Sequence, residues 1–179
     1  MEFQLDKFQE EAIRSIYENL NVLVIAPTGS GKTYIAEKAI EKYLSEQLNV
    51  IYTTPIKALS NQKYNDFNTL GYEAGLLTGD RTINPESSLI VGTTEILRNM
   101  IFTDDKRLDD IGIIVLDEVH YLGDSERGTT WEEIIIHAPK NIKFLSLSAT
   151  VKNKIEFLDW IVSLRGPTEL IESTTRPVP

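Results

Sequence analysis

The chain has 179 residues, of which 41% are hydrophobic, carries a formal net charge of −9 and contains no cysteine. These values indicate a single globular domain with a hydrophobic core, and they exclude disulfides, thiolate metal sites and nucleic-acid binding through a broad basic face. No apolar run reaches the length of a membrane-spanning helix, and the acidic, amphipathic start is unlike a signal peptide, so we expect a cytoplasmic, intracellular protein.

Short apolar runs alternate with stretches of helical periodicity along the chain. The first helix is predicted over residues 6–20, where the apolar side chains form one stripe and Asp6 is suited to the N-cap. Strands are predicted at 22–26, 50–53, 74–77, 89–91, 113–116 and 144–147, and helices at 31–47, 56–67, 94–102, 130–137 and 153–164. The alternation predicts an α/β fold with a mostly parallel central sheet and helices on both faces.

The segment 26–33, APTGSGKT, joins the first predicted strand to the second predicted helix. Its spacing is typical of a P-loop, in which backbone N–H groups and a helix N-terminus surround phosphate oxygens. The glycines allow the backbone to approach a phosphate closely, the lysine can reach the β- and γ-phosphates, and the threonine hydroxyl can ligate Mg²⁺. The general pattern begins with glycine, where this chain has Ala26. The predicted nucleotide contacts are Pro27, Thr28, Gly29, Ser30, Gly31, Lys32 and Thr33.

A second polar motif, DEVH at 117–120, follows the apolar run at 111–116. An acidic pair at a strand end can simply cap a helix, but downstream of a P-loop it predicts the second half of an ATPase site. Asp117 is expected to hold Mg²⁺ through water, opposite Thr33, and Glu118 to orient and deprotonate the attacking water. For His120, a structural role is the alternative to one in coupling. The predicted catalytic residues are Lys32, Asp117, Glu118 and His120, and the predicted cofactors are ATP and Mg²⁺.

A third motif, Ser148-Ala149-Thr150, follows the apolar run at 144–147. It is a weak signal by itself, because serine and threonine also cap helices and a helix is predicted from residue 153. All three motifs begin where predicted strands end. Because parallel strands with right-handed crossovers place these ends along one edge, we expect the motifs to form one crevice.

In chain order, the motifs FQEEAI, APTGSGKT, TTPIKALSNQK, TGD, TTEIL, DEVH and SAT resemble those of helicase superfamily two. The sequences of segments 55–63, 84–85, 93–98, 117–122, 126–128 and 131–133 are more narrowly similar to those of the superkiller-type (Ski-like) DExH RNA helicases. The resemblance implies a RecA-like P-loop NTPase domain. It also implies the ATP-binding lobe of an RNA helicase that couples MgATP hydrolysis to movement on RNA or unwinding of RNA.

The resemblance also implies roles for individual residues. Gln9 would read the adenine edge, and Phe3 would pack on the adenine face or belong to the core. Ser148 and Thr150 would link the nucleotide state to the grip on the strand. The residues implied to contact nucleic acid are Thr54, Pro55, Lys57, Asn61, Gln62, Gly79, Thr93, Thr94 and Arg98. For Lys57, Lys63 and Arg98, an ordinary solvated surface is the alternative.

We expect residues 1–172 to form the first RecA-like lobe and residues 173–179 to begin a linker toward a second lobe. That second lobe would supply arginines to the γ-phosphate, so the chain alone is expected to bind nucleotide weakly and to hydrolyse it slowly or not at all. The expected partners are single-stranded RNA or DNA and the second lobe, with no membrane. The oligomeric state stays open.

Three other functions are alternatives. The first is the same lobe of a superfamily-two DNA helicase, because contacts that follow phosphates do not distinguish RNA from DNA without a 2′-hydroxyl contact. The second is a non-catalytic ATP-sensing or scaffold module, which the intact lysine and acidic pair disfavour. The third is a small P-loop kinase, which would need an acceptor site and an arginine-rich lid that the sequence does not offer.

Overall fold

The computed structural model describes residues 4–119, 129–149 and 151–173. Within these ranges eight strands are present: β1 (Asn21–Ile25), β2 (Asn49–Thr54), β3 (Gly75–Leu77), β4 (Thr82–Ile83), β5 (Leu89–Thr93), β6 (Ile111–Leu116), β7 (Lys143–Ser148) and β8 (Thr168–Glu172). The same ranges contain six α-helices: α1 (Lys7–Tyr17), α2 (Lys32–Ser45), α3 (Lys57–Thr69), α4 (Thr94–Phe102), α5 (Thr129–His137) and α6 (Lys154–Arg165). A 3₁₀ helix covers Lys106–Asp110.

All eight strands belong to one sheet, in the order β4-β3-β5-β2-β6-β7-β1-β8. Every pairing is parallel except that of β3 with β4. The predicted α/β fold with a mostly parallel sheet is therefore confirmed. β1, β7 and β6 are neighbours, so the chain segments that follow these three strands emerge side by side at one edge.

Two hydrophobic layers cover the sheet, because successive side chains of a strand point to opposite faces. Val22 and Val24 of β1 pack into the layer that contains buried residues of α1, α2 and α3. Leu23 and Ile25 pack into the layer that contains buried residues of α4, α5 and α6. Since both faces are covered, β1 is apolar at four of its five positions and its sequence does not alternate with polar residues.

The sheet is wider than the sequence pattern predicts. β4 and β8 are additional edge strands, and the 3₁₀ helix was not predicted either. β8 pairs with β1 over Thr168–Glu172, a segment in which only Ile171 is buried. An edge strand with so much exposed polar sequence has no apolar signature, and its formation depends on backbone pairing with β1. The first helix ends at Tyr17, earlier than predicted, and Asn19 then adopts a positive φ of 63°.

A buried arginine fastens the end of α6 to the rest of the domain. The Arg165 guanidinium lies 4.9 Å from the centroid of the Phe144 ring of β7, and burial lowers its pKa. It donates hydrogen bonds to the carbonyl oxygens of Ile135, Ala138, Pro139 and Ile142. The Asn21 amide of β1 in turn donates to the Arg165 carbonyl oxygen at 3.1 Å. These bonds hold the segment that leads into β8 against β1 and against the segment that precedes β7.

Within the described ranges, no helix combines the length and the apolar character needed to span a bilayer.

Candidate functional site

The loops after β1 and β6 meet in a cleft of about 220 Å³ at the carboxyl edge of the sheet. α3 supplies the remaining wall. The lining residues are Thr28, Gly29, Gly31, Lys32, Thr33, Leu59, Gln62, Lys63, Asp117 and Glu118. The glycine-rich loop and the acidic pair, which lie more than eighty positions apart in the sequence, therefore face one another, as their positions after parallel strands predicted.

The glycine-rich loop has a backbone that other residues would not adopt easily. Gly29 and Gly31 have φ angles of +82° and +98°, and a Cβ added at Gly31 would lie 2.5 Å from Nε2 of Gln9. The hydroxyl of Ser30 is buried and has no hydrogen-bond partner among the described residues. A close-packed backbone turn with an unsatisfied hydroxyl suits an oxygen-rich anion such as phosphate.

The lysine of this loop is bonded to backbone carbonyls. Lys32 Nζ donates to the carbonyl oxygen of Ala26 at 2.6 Å and to that of Ser148 at 3.1 Å. Partial burial lowers the pKa of Lys32, while the charges of Glu118 and Asp117 act in the opposite direction. The ammonium therefore joins the P-loop to the end of β7, and a bound phosphate would compete with these two carbonyls for it.

The carboxylate of Asp117 is held in one orientation by two donors. Its Oδ1 accepts from the backbone N–H of Glu118 at 2.8 Å, and its Oδ2 accepts from the hydroxyl of Tyr52. Burial, the dominant cause, and the neighbouring Asp117 raise the pKa of Tyr52 well above its ordinary value, so Tyr52 stays a neutral donor. Glu118 follows with a positive φ of 58°, which turns the chain sharply after β6.

Tyr52 is a site residue that the sequence reasoning missed. A signal for it exists, because the hydroxyl of a tyrosine in the middle of a buried strand usually has a polar partner. Lys63 is a second cleft residue that was not assigned to the nucleotide site from the sequence. Its Nζ donates to Thr33 Oγ1 at 3.3 Å, and its side chain lines the cleft.

The cleft contains few side-chain oxygens that could hold a metal ion. Among the described residues, no group of three or more His, Asp, Glu or Cys side chains could hold a metal ion without other ligands. Thr33 and Asp117 each bring an oxygen to the cleft. Mg²⁺ is commonly held by one or two protein oxygens together with phosphate oxygens, so the residues fit a magnesium ion bound jointly with a nucleotide.

The start of α1 reaches the glycine-rich loop through Gln9. Gln9 is 5% exposed, and its Nε2 donates to the carbonyl oxygen of Gly31 at 3.1 Å. Its Oε1 accepts from the backbone N–H of Asp6 at 2.8 Å, which completes the predicted cap of the helix. Gln9 thus lies beside the loop, and its role in reading the adenine edge stays a prediction. Phe3, His120 and Thr150 lie outside the described residues.

A second depression, a groove of about 540 Å³, lies at the same edge of the sheet beyond β2. It is lined by Pro55, Ile56, Lys57, Gly79, Thr93, Glu95, Ile96 and Asn99. Four of these residues, Pro55, Lys57, Gly79 and Thr93, were predicted to contact nucleic acid. Thr93 caps α4, whose first residue is Thr94, and its Oγ1 accepts from the N–H of Ile96 at 3.4 Å.

Five predicted nucleic-acid contacts do not line this groove: Thr54, Asn61, Gln62, Thr94 and Arg98. Gln62 lines the nucleotide cleft. The Thr54 hydroxyl is buried and donates to the carbonyl oxygen of Ile56 at 2.9 Å. Arg98 pairs with Glu133 of α5 at 3.6 Å. The arrangement favours structural roles for Thr54 and Arg98, and a position facing the nucleotide for Gln62.

The loop after β3 adds two charged residues that were not predicted. Asp80 pairs with Lys57 at 3.4 Å, and Arg81 donates to the side-chain oxygen of Asn61. The pKa of Asp80 is lowered first by its hydrogen bond with Thr78 and then by its pairing with Lys57. Two of the predicted nucleic-acid contacts, Lys57 and Asn61, are thus engaged with this loop.

A parallel sheet with a glycine-rich loop after one strand and an acidic pair after a nearby strand defines a P-loop nucleotide-binding domain of the RecA-like type. The DEAD/DEAH box helicase family profile matches residues 6–158, and the chain belongs to this family.

The curated relatives show which members of this family the chain resembles. The chain is 48% identical over 186 residues to the DExH-box ATP-dependent RNA helicase DExH15, chloroplastic, of Arabidopsis thaliana. This match covers 99% of this chain and 16% of that protein. It is 47% identical over 178 residues to the exosome RNA helicase MTR4 of Homo sapiens, covering 99% of this chain and 17% of that protein. The predicted resemblance to DExH RNA helicases is confirmed, and the chain spans less than a fifth of each of these relatives.

The fold also has solved counterparts. The crystal structure of the DUF1998 helicase MrfA bound to DNA superposes with a TM-score of 0.80 at 18% identity, covering 95% of this chain and 27% of that chain. At that identity the similarity establishes the RecA-like fold alone.

Proposed function

We propose that this chain is the ATP-binding RecA-like lobe of an ATP-dependent DExH-box RNA helicase, which couples hydrolysis of MgATP to movement on RNA or unwinding of RNA. One observation carries the proposal. Lys32, Thr33, Asp117 and Glu118 line a single cleft, and a groove that contains Lys57 opens at the same edge of the sheet.

The P-loop residues have the chemistry to bind a triphosphate. Backbone N–H groups of the loop, the N-terminus of α2 and the ammonium of Lys32 all carry positive charge toward the cleft. Binding of a phosphate by Lys32 would weaken its bond to the Ser148 carbonyl, now 3.1 Å long. This exchange supports a role for Ser148 in reporting the nucleotide state to β7.

Thr33 and Asp117 are the residues that would hold Mg²⁺ together with phosphate oxygens. The ion, when bound, would neutralise charge that develops on the phosphates. Glu118 would orient the attacking water and accept its proton. Among the described residues that line the cleft there is no arginine, so fast hydrolysis requires arginines from a second lobe, each worth roughly 10³ to 10⁵ in rate in P-loop enzymes.

The groove suits the backbone of a single strand. Lys57 offers a positive charge, and Gly79 and the N-terminus of α4 offer backbone N–H groups. Because the net charge is −9, we expect a polyanion to be bound through such local contacts and not through the overall charge of the chain. RNA is favoured over DNA because the two curated relatives described above are named RNA helicases. A DNA helicase is the second candidate, because contacts that follow phosphates do not distinguish RNA from DNA.

Two further parts of the proposal concern the whole protein. A second RecA-like lobe is expected to close on the cleft, because the related helicases are several times longer than this chain. A cytoplasmic location is expected on the same grounds as before, from the lack of a membrane-spanning signal in the sequence.

The proposal is tested by equilibrium binding of a fluorescent ATP analogue to the chain. We expect Lys32→Ala to lower affinity by about 100-fold, since a charge-assisted phosphate contact is worth about 3 kcal/mol. Lys38→Ala is the matched control, because Lys38 lies on the same helix and pairs with Glu41 at 3.1 Å. Equal affinities of the two variants would exclude the nucleotide site.

Anisotropy with single-stranded RNA and DNA of one sequence then separates the two helicase alternatives. Preference for RNA supports the proposal, and equal or stronger binding to DNA supports the second candidate. Robust strand-stimulated ATP turnover by the chain alone would contradict the need for a second lobe.

A further inference from the structure

Tyr52 occupies a place in the site that is unusual for a strand residue. It lies in the middle of β2, is fully buried, and pairs in register with Val115 of the neighbouring β6. From there its hydroxyl reaches Oδ2 of Asp117, two residues further along the chain than its partner in β6. The bond joins two adjacent strands at the edge where the nucleotide cleft opens.

The ring of Tyr52 has no freedom to point its hydroxyl elsewhere. Phe67 of α3 packs against the ring in an edge-to-face arrangement, with centroids 5.2 Å apart and planes inclined by 72°. Lys63 Nζ lies 5.9 Å from the ring centroid. Packing therefore fixes the direction of the hydroxyl before any ligand arrives.

The fixed hydroxyl of Tyr52 constrains the carboxylate of Asp117. An ionised carboxylate has about four lone-pair sites. In Asp117, one site on Oδ1 is used by the Glu118 N–H and one on Oδ2 by Tyr52. With both oxygens anchored, the rotation of the carboxylate is set, and the remaining lone pairs are presented in a defined direction.

We propose that Tyr52 is a positioning residue of the nucleotide site, whose hydroxyl fixes the orientation in which Asp117 receives a magnesium-nucleotide complex. The inference rests on the proposed function, because it assigns Asp117 to the metal. Hydrogen-bond partners of ligating carboxylates commonly contribute about 10- to 100-fold to metal affinity, so the effect should be measurable.

The test uses Tyr52→Phe, which keeps the ring and removes only the hydroxyl. Binding of a fluorescent ADP analogue to the chain is measured across a Mg²⁺ titration and, separately, in EDTA. We expect the apparent Mg²⁺ affinity of the nucleotide complex to fall by about 10-fold or more. Affinity in EDTA should stay within about twofold of the parent chain, because the phosphate contacts of the P-loop are untouched.

Tyr43→Phe is the matched control. Tyr43 is another buried tyrosine, and its hydroxyl has no hydrogen-bond partner among the described residues. It does not line the cleft, so its Mg²⁺ titration should match that of the parent chain. Thermal unfolding of both variants in EDTA checks that each is folded.

Asp117→Asn separates the failure of this inference from the failure of the proposed function. If Asp117→Asn abolishes the Mg²⁺ dependence while Tyr52→Phe matches the parent chain, only the role of Tyr52 is overturned. If Asp117→Asn leaves the Mg²⁺ dependence intact, the assignment of Asp117 to the metal site is wrong. If Tyr52→Phe weakens binding equally with and without Mg²⁺, Tyr52 supports the fold of the cleft and does not position the carboxylate.

Discussion

The two depressions at the carboxyl edge of the sheet are built from different kinds of contact. In the nucleotide cleft, Asp117 and Ser30 are only 9% and 7% exposed, and Asp117 is held by buried donors. At the groove, Lys57 of the lining and the neighbouring Asp80 have side chains that are 58% and 65% exposed, and an ion pair joins them. Buried donors keep a site in one arrangement before its ligand binds, whereas exposed pairs are weak and exchange partners readily.

This difference indicates a division of labour between a preformed nucleotide site and an adaptable strand surface. Substitutions in the cleft should therefore have large effects on binding and folding. Substitutions in the groove should have small effects that depend on salt concentration.

The largest effect is expected for Gly31→Ala. The substitution places a side chain in a left-handed conformation and forces its Cβ against Gln9 Nε2, 2.5 Å away. We expect the free energy of unfolding to fall by about 2–4 kcal/mol, from backbone strain together with the hydrogen bonds that the Gln9 amide loses when it moves aside. Nucleotide binding should be lost, because the loop cannot keep its turn.

Gly29→Ala is the control for the backbone contribution to this loss. Gly29 also has a positive φ of +82°, but an added Cβ meets nothing within 4 Å. Its unfolding free energy should therefore fall by only about 1–2 kcal/mol. Urea unfolding measures both variants, and equal losses would show that the contact with Gln9 has no energetic importance.

The next effect concerns pH and Lys32, whose pKa lies below the ordinary 10.5, chiefly because of burial. Nucleotide binding needs the charged ammonium, so affinity should fall by about tenfold for each pH unit above the pKa of Lys32 in the folded chain. The pH dependence of folding stability has the opposite sign. Between that lowered pKa and 10.5 the unfolded state binds more protons, so the free energy of unfolding should rise with pH across this window.

The variant Lys32→Met isolates this residue from other titrating groups. Subtracting its pH profiles of unfolding and of nucleotide binding from those of the parent chain should leave the two opposite slopes. If the profiles of Lys32→Met run parallel to those of the parent chain, Lys32 does not titrate in this range and does not cause the pH dependence.

A smaller effect is expected for Lys57→Ala in the groove. Loss of one phosphate contact should weaken binding of a single-stranded RNA by about 3- to 10-fold and lower the salt slope of binding by about one. Arg98→Ala removes the same charge from a residue that pairs with Glu133, and it should change strand affinity less. Anisotropy at several salt concentrations measures both, and a larger loss for Arg98→Ala would place the strand elsewhere.

The smallest expected effect is an increase in affinity for the single strand. Asp80→Asn releases Lys57 from its ion pair, so strand affinity should rise by about two- to fivefold at low salt and hardly at all at high salt. Asp159→Asn, an exposed carboxylate on α6, makes the same change in net charge and should leave affinity nearly unchanged. Equal gains in both variants would mean that overall charge is responsible and that the pairing of Lys57 with Asp80 is irrelevant.

The central strands and the motifs at their ends were predictable, because each carries its own local signal. β1, β2, β5, β6 and β7 are dominated by buried residues, and the glycines at 29 and 31 stand where the backbone needs a positive φ. β4 and β8 were missed for the opposite reason. Among their residues only Ile171 is buried, and they become strands only by pairing with a neighbour already in place.

The functional surfaces were predictable only in part. Motif wording placed Gln62 and Arg98 on the nucleic-acid side together with Lys57. Residues of one helix can face different neighbours, and α3 presents Lys57 to the groove and Gln62 to the cleft. Direction around a helix axis follows from how the helix packs, which the order of the motifs does not report.

From the sequence alone came the class of fold, the phosphate-binding loop and the acidic pair, because each depends on residues that are neighbours in the chain. Only the tertiary structure decided that Tyr52 anchors Asp117, that Lys32 is held by Ser148, and that Asp80 engages Lys57. The physical reason is that these contacts form across strands or between separate loops, where strand order and register determine which side chains meet.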